Sequence, residues 1–514
     1  MTTAGAEPTA TARTGRSNAA RPRSTSFTDR ITRSTGGRLR AKILLLLACV
    51  LALDTADTSM IGAIAGRLET VLGLSNTELG LLAAVPSLFA AVATVPIGVL
   101  TDRVTRVRLV AAGALVWTAA MVASGLAGSF ETLLLTRLAL GTATATAGPT
   151  ISSLVGDYFP TRERGRVYGM ILSGELLGAA LGFVVSGELA SAVSWRLAFF
   201  VLAVPSLALT LAVWRLLPEP ARGGASRLEP GATEFRTTGP ALGPDREQHE
   251  KTLAQRKVDE QNVAPDPDLV LRSDPTGMTL WRAALYVVRV RTNVILIVAS
   301  ALGYFYFTGI QTFGLVLFTS RYGVSHAVAT LLIGLIGAGA LVGVIGGGRL
   351  ADGLAERGRV NGRVVVGGAS FILAAAAFLV ALIGHSLLLS MPLYVIAGAA
   401  FAARNPALDA ARLDVMHHAL WGRAEAVRTL LRRVVVATAP LLFGLLADVL
   451  ASSHVHSTGG QGFGANASAR GLYWAFLLLL VTLALSGLLT LGALRTYARD
   501  AATAVASEEA TAAA

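Results

Sequence analysis

The sequence predicts an all-α integral membrane protein in which twelve transmembrane helices form two pseudosymmetric six-helix bundles. The chain of 514 residues is 53% hydrophobic, with a mean hydropathy of +0.60. Several apolar runs exceed the ~20 residues that cross a ~30 Å hydrocarbon core as a helix. Two motifs also recur in the same order in the two halves of the chain, which indicates a duplication.

The first repeated motif is a short basic loop between two apolar runs. The G-x-L-x-D pattern of Gly98 and Asp102 returns in the second half at Gly348 and Asp352. The second motif returns with the same internal spacing. Its members are Pro149, Asp157, Gly165 and Arg166 in the first half, and Pro406, Asp414, Gly422 and Arg423 in the second.

The apolar runs divide into two groups of six. We expect spans 1 to 6 at about residues 42–64, 77–101, 107–127, 131–157, 165–188 and 195–217. We expect spans 7 to 12 at about residues 292–320, 326–351, 362–384, 386–415, 422–450 and 471–495. The resulting regions are a basic tail (1–41), a first bundle (42–217), a linker (218–280), a second bundle (281–497) and a tail (498–514).

The loops between the spans alternate in charge, which predicts the topology. Arginine-rich loops lie at 101–108, 160–166, 353–363 and 416–423, and arginine-poor loops lie at 65–76, 128–131, 189–194 and 451–469. The positive-inside rule then places both termini and the linker in the cytoplasm, with the protein in the cell (inner or plasma) membrane. The basic residues 1–42 fit a cytosolic tail better than the alternative, an organelle transit peptide.

The segments outside the spans differ in composition. The linker is rich in Pro, Gly and charged residues, which is typical of a flexible segment. Residues 281–291 alternate apolar side chains with arginines and are expected to lie along the membrane surface.

Several functional classes are excluded or disfavoured. The chain has no G-x-x-x-x-G-K-[ST] loop, so ATP is not the expected energy source. Cys49 is the only cysteine, and His454 with His456 is a weak metal pattern, so we expect no cofactor and no metal. We expect a monomer that is not an enzyme, with a small-molecule substrate, protons and membrane lipid as partners and no nucleic acid.

Three motifs carry a resemblance to the major facilitator superfamily over about residues 42–497. They are the loop that begins at Gly98, Arg137-x-x-x-Gly141 in span 4, and Leu217-Pro-Glu-Pro220 after span 6. The first half is most similar to the Spinster-type branch, through Leu135-Thr-Arg137, Ala147-Gly-Pro-Thr150, Trp195-Arg-Leu-Ala-Phe199 and Asp57. The resemblance implies a two-bundle fold and secondary transport.

The chain departs from the resembled pattern at three places. Thr144 stands where the Spinster-type branch has a glutamate in span 4, and Thr105 stands where the superfamily usually has a glycine. The efflux-antiporter motif of span 5 is half present. Gly174, Gly178 and Gly182 keep the spacing of the motif, whereas Ala179 and Phe183 replace its proline and its later glycine.

Asp102 and Asp352 are candidates for a cytoplasmic gate. A carboxylate at a helix end can lie against the positive N-terminus of a neighbouring helix. Pseudosymmetry predicts that Asp102 approaches Arg423 and Arg428, while Asp352 approaches the start of span 5. The alternative is that the arginines only set the topology. The predicted gate residues are Gly98, Asp102, Arg103, Arg106, Asp157, Arg164, Arg166, Gly348, Asp352, Asp414 and Arg423.

Asp54 and Asp57 in span 1 are candidates for proton coupling. An ionised carboxylate at membrane depth must be paired or must face water. At ~1.5 Å per residue, Asp57 and Arg137 fall at the same level of a ~30 Å core. Arginine keeps its proton, so the carboxylate is the group that can switch. A static structural pair is the alternative, and Glu175 in span 5 is the competing proton carrier.

The expected substrate site lies near the membrane midplane. Arg404 precedes Pro406, which leaves a helix carbonyl free and favours a local cavity. The predicted site residues are Arg404, Asn405, Tyr304, Tyr306, Thr308, Gln311 and Thr144. The expected function is proton-coupled transport of a small solute. Few fixed charges line the middle of the helices, which favours an amphipathic or lipid-like compound, with efflux as the expected direction. Uptake of a small metabolite is the alternative. A receptor or sensor on the same fold is the rival from another class.

We predict that the cytoplasmic aspartates control which side of the protein is open. Asp102→Asn and Asp352→Asn should each remove a helix-end charge worth ~0.3–1 kcal/mol. Each kcal/mol shifts the ratio of inward to outward states about fivefold. Labelling of a cytoplasmic reporter cysteine, in a background without Cys49, should therefore be faster in both variants. Unchanged labelling in both would leave these aspartates with roles in topology and folding alone.

Overall fold

The computed structural model describes residues 37–159, 161–220, 252–454 and 467–513, which are largely helical. The first bundle consists of α1 (Arg38–Leu72), α2 (Asn76–Arg103), α3 (Arg106–Leu126), α4 (Phe130–Tyr158), α5 (Thr161–Ala192) and α6 (Trp195–Leu216). Two short helices follow, α7 (Leu253–Glu260) and α8 (Leu280–Arg289). The second bundle consists of α9 (Arg291–Tyr322), α10 (His326–Glu356), α11 (Gly362–Ile383), α12 (Leu387–Asp414), α13 (Trp421–His454) and α14 (Ala467–Gly492), and α15 (Tyr497–Ala513) ends the described chain.

The bundle helices correspond in order to the twelve predicted spans. Within the described ranges, nine helices are long and apolar enough to cross a membrane, namely α2, α3, α6 and α9 to α14. The other three, α1, α4 and α5, have 35, 29 and 32 residues. The described apolar stretch of α5, Leu177–Ala192, is shorter than a span. Helices α1 and α4 carry the charged side chains Asp57 and Arg137 within their length.

The duplication is visible in the turns as well as in the motifs. Gly73 ends α1 in the left-handed conformation (φ 67°), and Gly323 ends α9 in the same way (φ 63°). The Ser75 hydroxyl then accepts a hydrogen bond at the start of α2, as the Ser325 hydroxyl does at the start of α10. Gly73 and Gly323 are separated by the same number of residues as the two G-x-L-x-D motifs, and so are Ser75 and Ser325.

Small residues set the closest helix packing within each bundle. Gly178 and Gly182 of α5 face the backbone of α1, and a Cβ at either glycine would overlap that backbone. Gly343 and Gly347 of α10 lie in the same way against α12. Packing of this kind is what joins helices in a bilayer, where lipid tails are as apolar as the side chains.

Residues 252–280, which the sequence predicts to be part of a flexible linker, are instead folded against α15. The hydroxyls of Thr503 and Ser507 accept hydrogen bonds from Asp266 N (2.8 Å) and Leu271 N (3.0 Å). Asp500 accepts from Thr292 N at the start of α9 (2.8 Å), and burial raises the pKa of this carboxyl. Few apolar side chains anchor the segment, so its composition alone resembles that of a linker. Residues 221–251 and the tail 1–36 lie outside the described residues.

Helix α8 is amphipathic, as expected for a segment at the membrane surface. Ala283 and Val287 are fully buried, whereas Trp281, Leu285 and Val288 are exposed. The exposed residues are spaced i, i+4 and i+7 and therefore share one helix face.

We predict that the contact of α10 with α12 is sensitive to a single methyl group. Gly343→Ala would press a Cβ into the carbonyl oxygen of Ala399, which should destabilise the protein by ~1–3 kcal/mol. Gly346→Ala is the matched control in the same helix, because a Cβ there has no atom within 4 Å. The thermal unfolding midpoint in detergent should fall for the first variant and stay level or rise for the second. Equal midpoints for the two variants would contradict this packing.

Candidate functional site

A buried ion pair joins α1 to α4 in the first bundle. Arg137 Nη1 lies 2.9 Å from Asp57 Oδ1, and both residues are buried. Arg137 Nη2 donates to the Ser124 hydroxyl (3.0 Å), and the guanidinium carbon lies 5.1 Å from the Phe199 ring centre. The two charges therefore stabilise each other, and removing either partner would leave the other buried and unpaired.

A second carboxylate, Asp54, lies about one helical turn from Asp57. The Thr144 hydroxyl donates a hydrogen bond to Asp54 Oδ1 (2.7 Å). Thr144 is the residue that stands in place of the resembled branch's glutamate, so at this position the chain has a hydrogen-bond donor to Asp54. Asp54 and Thr144 line a small cavity together with Trp117 and Ser206. Asp54 is therefore a polar group inside the first bundle with room beside it.

Two arginines of α13, Arg432 and Arg433, bring positive charge to the acidic side of the first bundle. Both are within electrostatic reach of Glu175, and Arg433 also acts on Asp54. Neither arginine belongs to the repeated motifs, and neither was among the predicted site residues. The available signal was two consecutive arginines in the middle of span 11, since charges at that depth are costly and mark functional positions.

Arg404 of α12 is surrounded by aromatic rings. Its guanidinium carbon lies 4.0, 4.5 and 4.7 Å from the ring centres of Phe401, Tyr304 and Phe371. The residue is 1% exposed, and its Nε and Nη2 atoms have no hydrogen-bond partner in the described part of the chain. Arg432 lies 4.6 Å from the same Tyr304 ring, so this ring contacts two guanidinium groups.

The other predicted substrate residues are divided by the structure. The Tyr304 hydroxyl lies 3.4 Å from Asn405 Oδ1, and the Thr308 hydroxyl bonds back to the Tyr304 carbonyl (2.9 Å). Gln311 lies where α9 meets α1, with its carbonyl oxygen against Gly62. Tyr306 packs instead in the second bundle's interior and lies apart from this group, against Phe378, Phe443 and Phe476.

The predicted gate residues form matching clusters inside each bundle. Arg106 of α3 pairs with Asp157 of α4 and with Glu219 after α6. Arg363 of α11 pairs with Asp414 of α12 at 2.5 Å. The Tyr497 hydroxyl donates to Asp414, which ties α15 to this cluster. Arg363 was not among the predicted gate residues. It follows Arg106 by the same number of residues as Asp414 follows Asp157, so the two arginines occupy equivalent positions of the repeat.

The predicted contacts between the bundles at the cytoplasmic end are only partly described. Asp352 pairs with Arg363 of its own bundle (3.5 Å), and Arg428 pairs with Glu425 of its own helix. Arg423 Nη1 donates to the Pro275 carbonyl (2.9 Å). Arg103 is exposed, and Gly348 lies against Pro406. The side chains of Asp102, Arg164 and Arg166, and the surroundings of Gly98, lie outside the description.

A carboxylate at a helix start does join the bundles, but at the opposite end. We call the end that carries the turns at 73–75, 127–129 and 193–194 the predicted outer end. There Asp448 of α13 accepts hydrogen bonds from Asn76 N (3.3 Å), Asn76 Nδ2 (2.9 Å), Thr77 N (2.8 Å) and the Thr77 hydroxyl (2.5 Å). The Ser468 hydroxyl accepts from Asn76 and donates to Glu69 of α1. We call Asp448, Asn76, Thr77 and Ser468 the outer latch.

The backbone confirms that the bundles close against each other at the predicted outer end. A Cβ at Gly62 would overlap the Gln311 carbonyl, and one at Gly80 would overlap the Pro440 carbonyl. A Cβ at Gly444 would overlap the Asn76 carbonyl. Helix pairs α1 with α9 and α2 with α13 are thus in backbone contact beside the outer latch.

We predict that Asp448→Asn loosens the predicted outer end. The loss of one charge at the start of α2, worth ~0.3–1 kcal/mol, should raise the outward-open population about two- to fivefold. A reporter cysteine at Thr312, in a background without Cys49, should then react faster with an impermeant maleimide applied from the outer side. Glu78→Gln is the control, because Glu78 bonds only Ser75 N and Oγ at the same helix start within the described chain. Equal rates in both variants would contradict the latch.

A family model matches most of this chain, whereas individual curated relatives match about a third of it. The sequence profile of the Major Facilitator Superfamily matches residues 47–440. The probable L-galactonate transporter of Escherichia coli (strain K12) is 27% identical over 180 residues, which cover 35% of this chain and 40% of that protein. The gallate transporter of Pseudomonas putida is 28% identical over 190 residues, 37% of this chain and 42% of that protein. The aligned parts thus span less than half of these relatives.

Solved structures share the fold over nearly the whole chain. A bacterial homologue of the human lysosomal transporter Spinster, inward-facing and occupied, superposes with a TM-score of 0.67 at 20% identity, covering 90% of this chain and 98% of that chain. A nucleoside transporter superposes with a TM-score of 0.59 at 11% identity, covering 89% and 99%. The chain belongs to the Major Facilitator Superfamily, whose matched members are membrane transporters and not enzymes.

Proposed function

We propose that this protein is a proton-coupled secondary transporter of a small solute that works by alternating access. The buried pair of Asp57 and Arg137 carries the proposal. An ion pair at 2.9 Å inside a transmembrane bundle is costly to build, and its carboxylate is the member that can exchange a proton.

The coupling step follows from the electrostatics of the pair. In the described structure Arg137 donates a hydrogen bond to the Asp57 carboxyl group (2.9 Å). When solute binding or helix movement draws the guanidinium away, burial favours the protonated carboxyl, and Asp57 takes up a proton. One proton that moves down a membrane potential of ~100 mV supplies ~2.3 kcal/mol, enough for roughly fiftyfold accumulation.

Alternating access requires that each end of the molecule opens in turn. The outer latch and the three glycine contacts support a state that is closed at the predicted outer end. Opening that end would break the hydrogen bonds of Asp448, and the cytoplasmic aspartates would then hold the other end. We place both termini in the cytoplasm, in accordance with the arginine pattern.

The charge at the centre supports uptake of a small metabolite over transport of a lipid-like compound. Arg432 and Arg433 lie within electrostatic reach of Glu175, and Arg433 also lies within reach of Asp54. Arg404 shares the Tyr304 ring with Arg432, so the centre is not the apolar surface that a neutral lipid requires. The relatives' names also favour an acid, since they include L-galactonate, gallate and 4-hydroxybenzoate transporters. An amphipathic compound remains the second candidate because aromatic rings surround Arg404.

We predict that Asp57→Asn abolishes pH-driven accumulation of substrate in proteoliposomes while exchange of substrate across the membrane continues. The amide mimics the protonated carboxyl, so the protein still moves between its states but carries no proton. Glu175→Gln is the matched variant, because Glu175 lies in the neighbouring helix α5 and competes for the same role. If Asp57→Asn still concentrates substrate and Glu175→Gln does not, the coupling site lies in α5 and the assignment is wrong.

A further inference from the structure

Arg404 differs from three other buried arginines in what surrounds it. Arg106, Arg137 and Arg363 each pair with a carboxylate. No carboxylate lies within 4 Å of Arg404 in the described part of the chain, and its Nε and Nη2 atoms are without hydrogen bonds. Cation–π contacts with three rings offset part of the cost of burial, but they satisfy no N–H group. Arg404 therefore has unused capacity to bind an anion.

A second cation lies beside it. Arg432 contacts the Tyr304 ring at 4.6 Å, and the same ring lies 4.5 Å from Arg404. No described carboxylate forms an ion pair with Arg432 at 4 Å or less, although Glu175 acts on it from the first bundle. Two guanidinium groups thus share one aromatic ring near the centre of the protein. A carboxylate bound there would interact with both charges and would bridge α12 and α13.

The surface next to these charges is flat and apolar. The rings of Phe307 and Phe401 stack with centres 4.9 Å apart and planes at 19°. Tyr304 meets both rings edge-on, at 6.4 and 6.1 Å. Tyr304 and Phe307 are partly exposed. Such a surface suits a planar apolar group, which prefers offset or edge contacts with aromatic rings.

We propose that Arg404 and Arg432 bind the carboxylate of a small organic anion whose planar apolar body lies against Tyr304 and Phe307. The inference rests on the proposed transport function and names its substrate class, an aromatic or similarly flat monocarboxylate. The guanidinium fork of Arg404 supplies direct hydrogen bonds through Nε and Nη2, since these atoms lie on the side that a carboxylate can bridge. Arg432 adds charge, and the Tyr304 ring holds both arginines in place.

The test measures binding to the purified full-length protein in detergent. Benzoate, cinnamate and phenylacetate serve as probes, each beside its uncharged amide, and the readout is the rise in thermal unfolding midpoint with ligand concentration. At least one acid should bind at least tenfold more tightly than its amide. Arg404→Gln should weaken that binding about 10- to 100-fold, because a charge-assisted hydrogen-bond pair is lost. If no acid binds better than its amide, the inference is overturned.

Control variants separate a binding role from a structural one. Arg412→Gln removes another arginine of α12, one that pairs with Asp409 at 2.9 Å, and should leave the affinity within about twofold. Arg404→Lys keeps the charge but loses the fork, so it should fold like the wild type and still bind the acid at least tenfold more weakly. Arg432→Gln, at a partly exposed position, gives a second route if Arg404→Gln does not fold. Wild-type affinity in Arg404→Lys and in Arg432→Gln would show that these arginines serve the fold alone.

Transport assays distinguish failure of this inference from failure of the proposed function. Binding of an acid that depends on Arg404, without exchange of that acid in proteoliposomes, would retain the site and overturn the transport function. Proton-driven accumulation of an uncharged solute, with no binding of the acids, would retain the function and overturn the substrate class.

Discussion

The cost of a charge inside the membrane constrains the whole arrangement. Each charge at that depth must be paired, must face water or must wait for a ligand. In the first bundle Arg137 meets this condition with Asp57, and at the predicted cytoplasmic end Arg106 and Arg363 meet it with Asp157 and Asp414. These pairs cross from one helix to another, so they fix helix register where apolar packing alone would allow sliding.

Regular repeats and straight helices explain what the sequence predicts well. The level of Asp57 relative to Arg137 follows from a constant rise per residue along two helices, and the structure brings the two side chains together. The repeat likewise relates the pair of Arg106 and Asp157 to the pair of Arg363 and Asp414. Of these four residues, only Arg363 was absent from the predicted gate. Helix periodicity and internal duplication can both be recognised directly in a sequence. They were sufficient to place these charged residues on their helices.

Contacts between the bundles could not be predicted in the same way. The outer latch joins residues 372 positions apart, Asn76 and Asp448, and no local pattern marks their meeting. From the sequence, we expected Asp102 and Asp352 to lie against helix starts at the cytoplasmic end, where the side chains of Asp102, Arg164 and Arg166 are not described. The contact of Asp448 with the start of α2 was not predicted. Residues 252–280 illustrate a related limit, because their folding depends on partners in α15, at the far end of the second bundle's sequence.

The two bundles contribute charges of opposite sign to the centre, and this division links binding to coupling. Asp54 and Glu175 come from the first bundle, whereas Arg404, Arg432 and Arg433 come from the second. An anion held by Arg404 and Arg432 would weaken the attraction of α13 for Glu175, and with it one force that holds the bundles together at this depth. An uncharged solute would leave that attraction unchanged. A ligand shifts a conformational equilibrium only through its different interaction energies with the two states. The charge of the solute supplies such a difference, because it weakens an attraction that holds the bundles together in the described state.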